Sequence, residues 1–231
     1  MHELEKEVPV PALPDSLVRQ STYRREGLAV FDRPDPGRTA LFVMNMQNAW
    51  LVPDAPFRSG PVAGLLRRIH AVADTVRRAG GQVIWCRTTV GEPGTPAYWH
   101  AYYDHFIEPG KRALALSALR PDASLSALHP ACQIAPSDWV LEKHRFSPFS
   151  QGGQALEDRL RSVGVNAVVG AGTATNVCVE STIRDALSRE FMTYMPHDLV
   201  AAPTEDGHLA GLRNVMQAFA DVRASGDIGL A

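Results

Sequence analysis

With 231 residues the chain has the length of one sizeable α/β domain. Hydrophobic residues supply 45% and charged residues 21%, which excludes a disordered composition. A net charge of −2 gives no electrostatic footprint for nucleic acid or an anionic membrane. Three cysteines, Cys86, Cys132 and Cys178, leave at least one thiol unpaired, as expected in a reducing cytoplasm and not in a secreted disulfide framework. The opening segment, MHELEKEVPVPALPDSL, is acidic and proline-spaced and lacks the basic and apolar regions of a signal peptide. No apolar run approaches the roughly 20 residues that span a bilayer. The expectation is a soluble, cytoplasmic protein.

Residues 1–38 carry Pro9, Pro11, Pro14, Pro34 and Pro36 and show no sustained period. They read as an extended N-terminal arm, suited to lie on a neighbouring subunit of a homo-oligomer, a dimer or tetramer. Residues 39–231 read as a single α/β domain. Its first strand, TALFVMN at 39–45, is a continuous apolar run suited to a sheet covered on both faces. A helix is predicted over 64–80, with apolar residues at helical spacing and Gly80–Gly81 as its stop, followed by the strand QVIWCRT at 82–88. Regularity then lapses in an aromatic-rich insertion around 91–137. Beyond it the pattern alternates: strand 138–143, helix 153–164, strand 166–172, helix 176–190, strand 191–196, helix 205–222. This alternation predicts an α/β fold with a doubly wound, mostly parallel sheet and helices on both faces. Such sheets bind ligands beyond the carboxyl ends of their strands, where Asn45, Arg87, Lys143 and the turn before Cys178 fall.

GAGTATNVCVESTIRDA carries the most chemical information. A strand ends near Gly170–Gly172, small residues turn, and a helix begins near Asn176 with Cys178 in its first turn. The unpaired N–H groups and the dipole of a helix start stabilise a thiolate, the nucleophilic form, and can hold an oxyanion. An arbitrary cysteine is more often a small buried apolar residue, which is how Cys86 and Cys132 read. The GAGTAT spacing lacks both the dinucleotide fingerprint and the Walker lysine. WVLEKHRFSPF places Lys143 where an apolar strand runs out. Alone it would read as a surface charge, but on the same edge as Cys178 its ammonium favours the thiolate. His144 and Arg145 read as structural or rim groups.

Three segments in order, LFVMNMQNAW, KHRFSPF and GTATNVCVESTIRDA, resemble the isochorismatase-like cysteine hydrolase family. With the element order, the resemblance extends over nearly everything from Thr39 to Val222. It implies an Asp–Lys–Cys triad on a parallel sheet that hydrolyses small amides, ureides and related C–N bonds through a thioacyl intermediate. Cys178 matches the nucleophile and Lys143 the lysine. The family's non-proline cis peptide would be Thr173–Ala174, and the N–H groups of Ala174 and Cys178 would form the oxyanion hole.

The family's proton-shuttling aspartate corresponds to Asn45, a departure from the pattern. Asparagine keeps the shape but moves no proton, and losing such a group commonly costs roughly 10²–10⁴-fold in rate. Asn45 is either an engineered Asp→Asn change that traps a complex or a natural feature of a slow or non-catalytic relative; the retained Lys143, Cys178 and turn favour the former. Ala49 replaces the metal-binding aspartate of nicotinamidase-like members, and His100 with Asp104 supplies two ligands without a third. No metal or cofactor is implied.

The insertion packs Tyr98, Trp99, Tyr102, Tyr103 and Phe106 into nine positions, as a satellite core or as a lid or pocket wall. The substrate pocket is assigned to Gln47, Trp50, Arg87, Tyr98, Trp99 and Tyr103. The functional expectation is a small-molecule amide or ureide hydrolase impaired by Asn45. The alternatives are an isochorismatase-type enol-ether hydrolase and a small-molecule-binding pseudo-enzyme.

Overall fold

The computed structural model describes residues 6, 8, 9, 12–21, 26–60 and 62–231. Five strands run β3-β2-β1-β4-β5 across one parallel sheet: β1 Thr39–Met44, β2 Gln82–Thr88, β3 Trp139–Lys143, β4 Ala167–Thr173 and β5 Met192–Tyr194. A sixth, β6 Val200–Ala201, pairs with the end of β4 at Gly172 and Thr173. Every residue of β1 and of β4 is buried, because helices cover both faces.

Strand alternation sends successive side chains into two cores. Leu41, Val43, Val83, Trp85 and Val169 face α3 Leu65–Arg78, which follows the one-turn α2 Asn48–Leu51 and returns Leu65, Ile69, Val72 and Val76 at helical spacing. Ala40, Phe42, Met44, Ile84 and Val168 face the other way. There they meet Leu160 of α6 Gly153–Ser162, Ile183 of α7 Glu180–Leu187 and Leu212 of α8 Glu205–Ala218. The fold is therefore a doubly wound parallel sheet with helices on both faces. Among the described residues no helix is long and apolar enough to cross a membrane.

Four details depart from expectation. The arm is not extended throughout: α1 Asp15–Ser21 is helical and buries Leu17 in the second core against α8. The segment before β1 lies on its own chain, with Val30 N–H donating to Asp221 at 2.9 Å and the Tyr194 hydroxyl donating to the Asp32 carbonyl at 2.7 Å. Positions 1–5, 7, 10, 11 and 22–25 of the arm lie outside the described residues.

The insertion holds two helices that periodicity did not reveal, α4 His100–Tyr103 and α5 Pro109–Ala118, the latter capped by Glu108 accepting from Gly110 and Lys111. The helix expected from Asn176 begins as a π-turn, Thr175–Val179. The last helix stops at Ala218 instead of Val222, because Asp221 leaves it to bridge with Tyr194 beside β5.

Candidate active site

Three strand ends meet beside the π-turn. Asn45 follows β1 in the left-handed region, φ 54°, with its N–H donating to the Cys86 carbonyl at 2.9 Å. Beside it Gly172 has φ 94°, and a Cβ there would lie 2.2 Å from the Met44 carbonyl oxygen. Only glycine allows that approach of β4 to β1. The next peptide bond, Thr173–Ala174, is cis. The Ala174 carbonyl then accepts from Val177 at 3.1 Å and Val179 at 3.2 Å, closing the π-turn that carries Cys178.

Side chains link these pieces into one chain of hydrogen bonds. Lys143 Nζ lies 3.4 Å from Cys178 Sγ, donates to Thr88 Oγ1 at 2.6 Å and donates to the Arg145 carbonyl at 3.1 Å. The Thr88 hydroxyl donates to Asn45 Oδ1 at 2.7 Å, and Asn45 Nδ2 donates to the Thr173 carbonyl at 2.8 Å. Both ends of the Asn45 amide are thus taken. Lys143 is 0%, Asn45 1% and Cys178 7% exposed. Among the described residues no carboxylate is a partner of Lys143, and the sulfur is the neighbour there able to carry a compensating negative charge.

The turn is braced from behind. Ser59 and Thr173 share a short hydroxyl contact, the Thr182 hydroxyl donates to the Cys178 carbonyl at 2.7 Å, and Thr175 Oγ1 meets His208 Nδ1 at 2.9 Å. Burial pushes the thiol of neighbouring Cys86 up to about 12, which leaves it protonated and unreactive. Burial likewise raises the phenols of Tyr102 and Tyr103, so both stay neutral hydrogen-bonding groups.

Above the three side chains opens a cavity of about 390 Å³, which Asn45, Thr88, Lys143, Ala174 and Cys178 floor. Trp50, Trp99 and Tyr103 line it. Gln47, Arg87 and Tyr98 do not, and their assignment is corrected. Gln47 is fully buried as a brace, donating to the carbonyls of Thr88 and Ser126 at 2.9 and 2.7 Å and accepting from Thr88 N–H at 2.7 Å. Arg87 turns to the Pro121 carbonyl at 2.6 Å and to Glu142 at 3.5 Å. Tyr98 stacks behind Tyr103 and donates to Asp104 at 2.6 Å.

Asp104 is also held by Arg112 at 2.9 Å and by His100, a structural network on the insertion. Among the described residues no three His, Cys, Asp or Glu side chains gather as a metal site. Sequence reasoning offered Tyr102 only as part of a lid or pocket wall and did not assign Phe57, Arg58, His144, Arg145 and Phe146 to the lining. The run after Lys143 at a strand's carboxyl end was a usable signal for the last three; nothing local marked Phe57 and Arg58.

The isochorismatase domain model matches residues 39–227, most of the chain. The chain belongs to this family. Ureidoacrylate amidohydrolase RutB of Methylobacterium radiotolerans is 31% identical over 228 residues, covering 87% of this chain and 84% of the relative. The protein of the same name from Caulobacter segnis is 32% identical over 209 residues, covering 84% and 85%. Among solved structures, a cysteine hydrolase from Pseudomonas syringae pv. phaseolicola superposes with a TM-score of 0.73 at 22% identity, covering 86% of this chain and 94% of that one. An isochorismatase family protein from Burkholderia thailandensis gives 0.67 at 25% identity, covering 83% and 93%. In this isochorismatase-family chain, a buried thiol and a buried ammonium face the cavity beside a turn of backbone N–H groups. That arrangement can deliver a nucleophile to a carbonyl and receive the oxyanion that forms.

Proposed function

We propose that the chain hydrolyses a C–N bond of a small non-peptide amide or ureide through a thioacyl intermediate on Cys178, at a rate held down by Asn45. The observation that carries this reading is the 3.4 Å contact between Lys143 Nζ and Cys178 Sγ at the floor of the cavity. The names of the amidohydrolase relatives support the bond type.

In the proposed sequence the Cys178 thiolate bonds to the substrate carbonyl carbon, and the oxyanion rests on the N–H groups of Ala174 and Cys178. The C–N bond breaks as the nitrogen takes a proton from the Lys143 ammonium, releasing the amine. Water then adds to the thioester and gives a proton back to Lys143; the C–S bond breaks, and acid and thiolate separate. Asn45 orders Thr88 and the cis turn but carries no proton between sulfur and nitrogen. Buried Cys178 facing the cavity weighs against enol-ether hydrolysis, which needs no thiol.

The test is the variant Asn45→Asp. Its turnover on a broad amide and ureide panel should rise on the order of 10²–10⁴-fold, and a covalent acyl mass should appear on Cys178 during turnover. An unchanged rate and no adduct in either protein would reject the proposal in favour of a binding protein.

A further inference from the structure

We propose that the cavity selects an anionic substrate with a planar aromatic body: an aryl amide or aryl ureide that carries a carboxylate. This rests on the hydrolase reading and deepens it by naming the substrate class.

Charge is the first support. The wall includes Lys143 and Arg145 and, among the described residues, not one aspartate or glutamate. Lys143 has the Cys178 sulfur beside it as its partner in the reacting pair. Arg145 is different: its guanidinium donates to the His144 carbonyl at 2.9 Å and the Pro96 carbonyl at 3.4 Å. No carboxylate reaches it among the described residues. Neutral carbonyls hold the fork in place without cancelling its charge, which suits it to a carboxylate brought by a ligand. Asn45 contributes here as well, since a carboxylate in its place would be the wall's one acidic group and would repel an anion.

Shape is the second and independent support. Trp99 stacks on Tyr102 at 5.0 Å, and Phe146 packs edge-on against Trp99 at 4.7 Å and against Tyr102 at 5.1 Å. Three rings fixed against one another keep their exposed faces and edges in place before a ligand arrives. A second aromatic ring lowers its free energy most in such a setting, by offset or edge contact. The Arg145 guanidinium lies over the Trp99 ring, 5.4 Å from its centroid, so the free charge and the aromatic wall adjoin. About 390 Å³ falls within the range of sites that enclose drug-sized ligands. A short acyclic ureido acid would leave much of that space and all three rings unfilled.

Ammonia release from 3-ureidobenzoate, its methyl ester and 3-ureidopropionate tests the proposal, because each comparison removes one feature. The kcat/KM for the aryl acid should exceed both others at least tenfold. Arg145→Gln should collapse the ratio of acid to ester through KM, and Trp99→Ala should collapse the ratio of aryl acid to acyclic acid. Calorimetry with isosteres that cannot be hydrolysed (3-isobutylbenzoate, its methyl ester and 5-methylhexanoate) should give the same order of binding. That order of binding, with no turnover of any amide or ureide by the parent or by Asn45→Asp, upholds the inference while overturning the hydrolase reading. Equal or better use of the ester or of 3-ureidopropionate overturns the inference while leaving hydrolysis intact. An acid-to-ester ratio that Arg145→Gln leaves unchanged overturns it as well.

Discussion

At position 45 one side chain answers a hydroxyl donor and a carbonyl acceptor at once, Thr88 on one end and Thr173 on the other. An amide does both. A carboxylate would satisfy Thr88 only, and its second oxygen, repelled by the Thr173 carbonyl, would turn toward the cavity, where a proton shuttle works. The gain in turnover expected for Asn45→Asp should therefore come with a loss of stability of about 1–3 kcal/mol from the unmatched carbonyl. Thr88 is the joint between Lys143 and Asn45, accepting from one and donating to the other. Thr88→Val keeps the shape and deletes the joint. It should lower unfolding free energy by about 1–3 kcal/mol in denaturant titration, whereas Thr88→Ser should retain most of it. Equal stability of the valine variant and the parent would show that the linkage contributes nothing.

Among the elements, α8 matters to the site although it contributes no reacting group. Gly211 of α8 lies so close to the π-turn that a Cβ would sit 2.8 Å from Asn176 Cα. The contact is with backbone, so the turn or the helix would have to move. Gly211→Ala should therefore lower stability by about 1–3 kcal/mol, as overpacking does, and slow alkylation of Cys178 by shifting its turn. Gly226, whose Cβ would meet nothing within 4 Å, is the control, and Gly226→Ala should be near neutral. Thermal unfolding and timed thiol labelling read both effects. The sequence predicted a helix over 205–222, but no local pattern distinguishes a packing glycine from a weak point in a helix. The same gap explains Gln47: a polar residue just past a strand end can face a ligand or brace a loop, and its partners at Thr88 and Ser126 lie 41 and 79 residues away.

For the whole molecule the pH response follows from two partly buried histidines. Burial lowers both His197 and His208 below the ordinary histidine value; His197 and Arg68 oppose protonation further, and Asp198, Glu205 and Asp227 partly offset this. Folded values below the unfolded one mean that the unfolded chain takes up protons first as pH falls. Stability should be fully present above about pH 6.5 and decline below it, until the folded histidines also protonate. The midpoint of thermal unfolding should drop between pH 7 and pH 5, and His208→Gln should flatten that slope. A midpoint that stays level over this range would contradict the burial argument.

The amino-acid sequence by itself determined the alternation of elements, the two-faced apolar strands and the edge on which Asn45, Lys143 and Cys178 fall. These are local signals, set by side-chain periodicity and turn residues within a few positions. Tertiary structure alone decided what faces the cavity: Arg145 and Phe146 inward, Arg87 toward Pro121 and Glu142, and Tyr98 behind Tyr103. It also decided that the described part of the supposed arm docks Leu17 and Val30 onto the chain's own core and last segment. Those choices depend on groups distant in sequence competing for the same donor, acceptor or space, and periodicity carries no record of that competition.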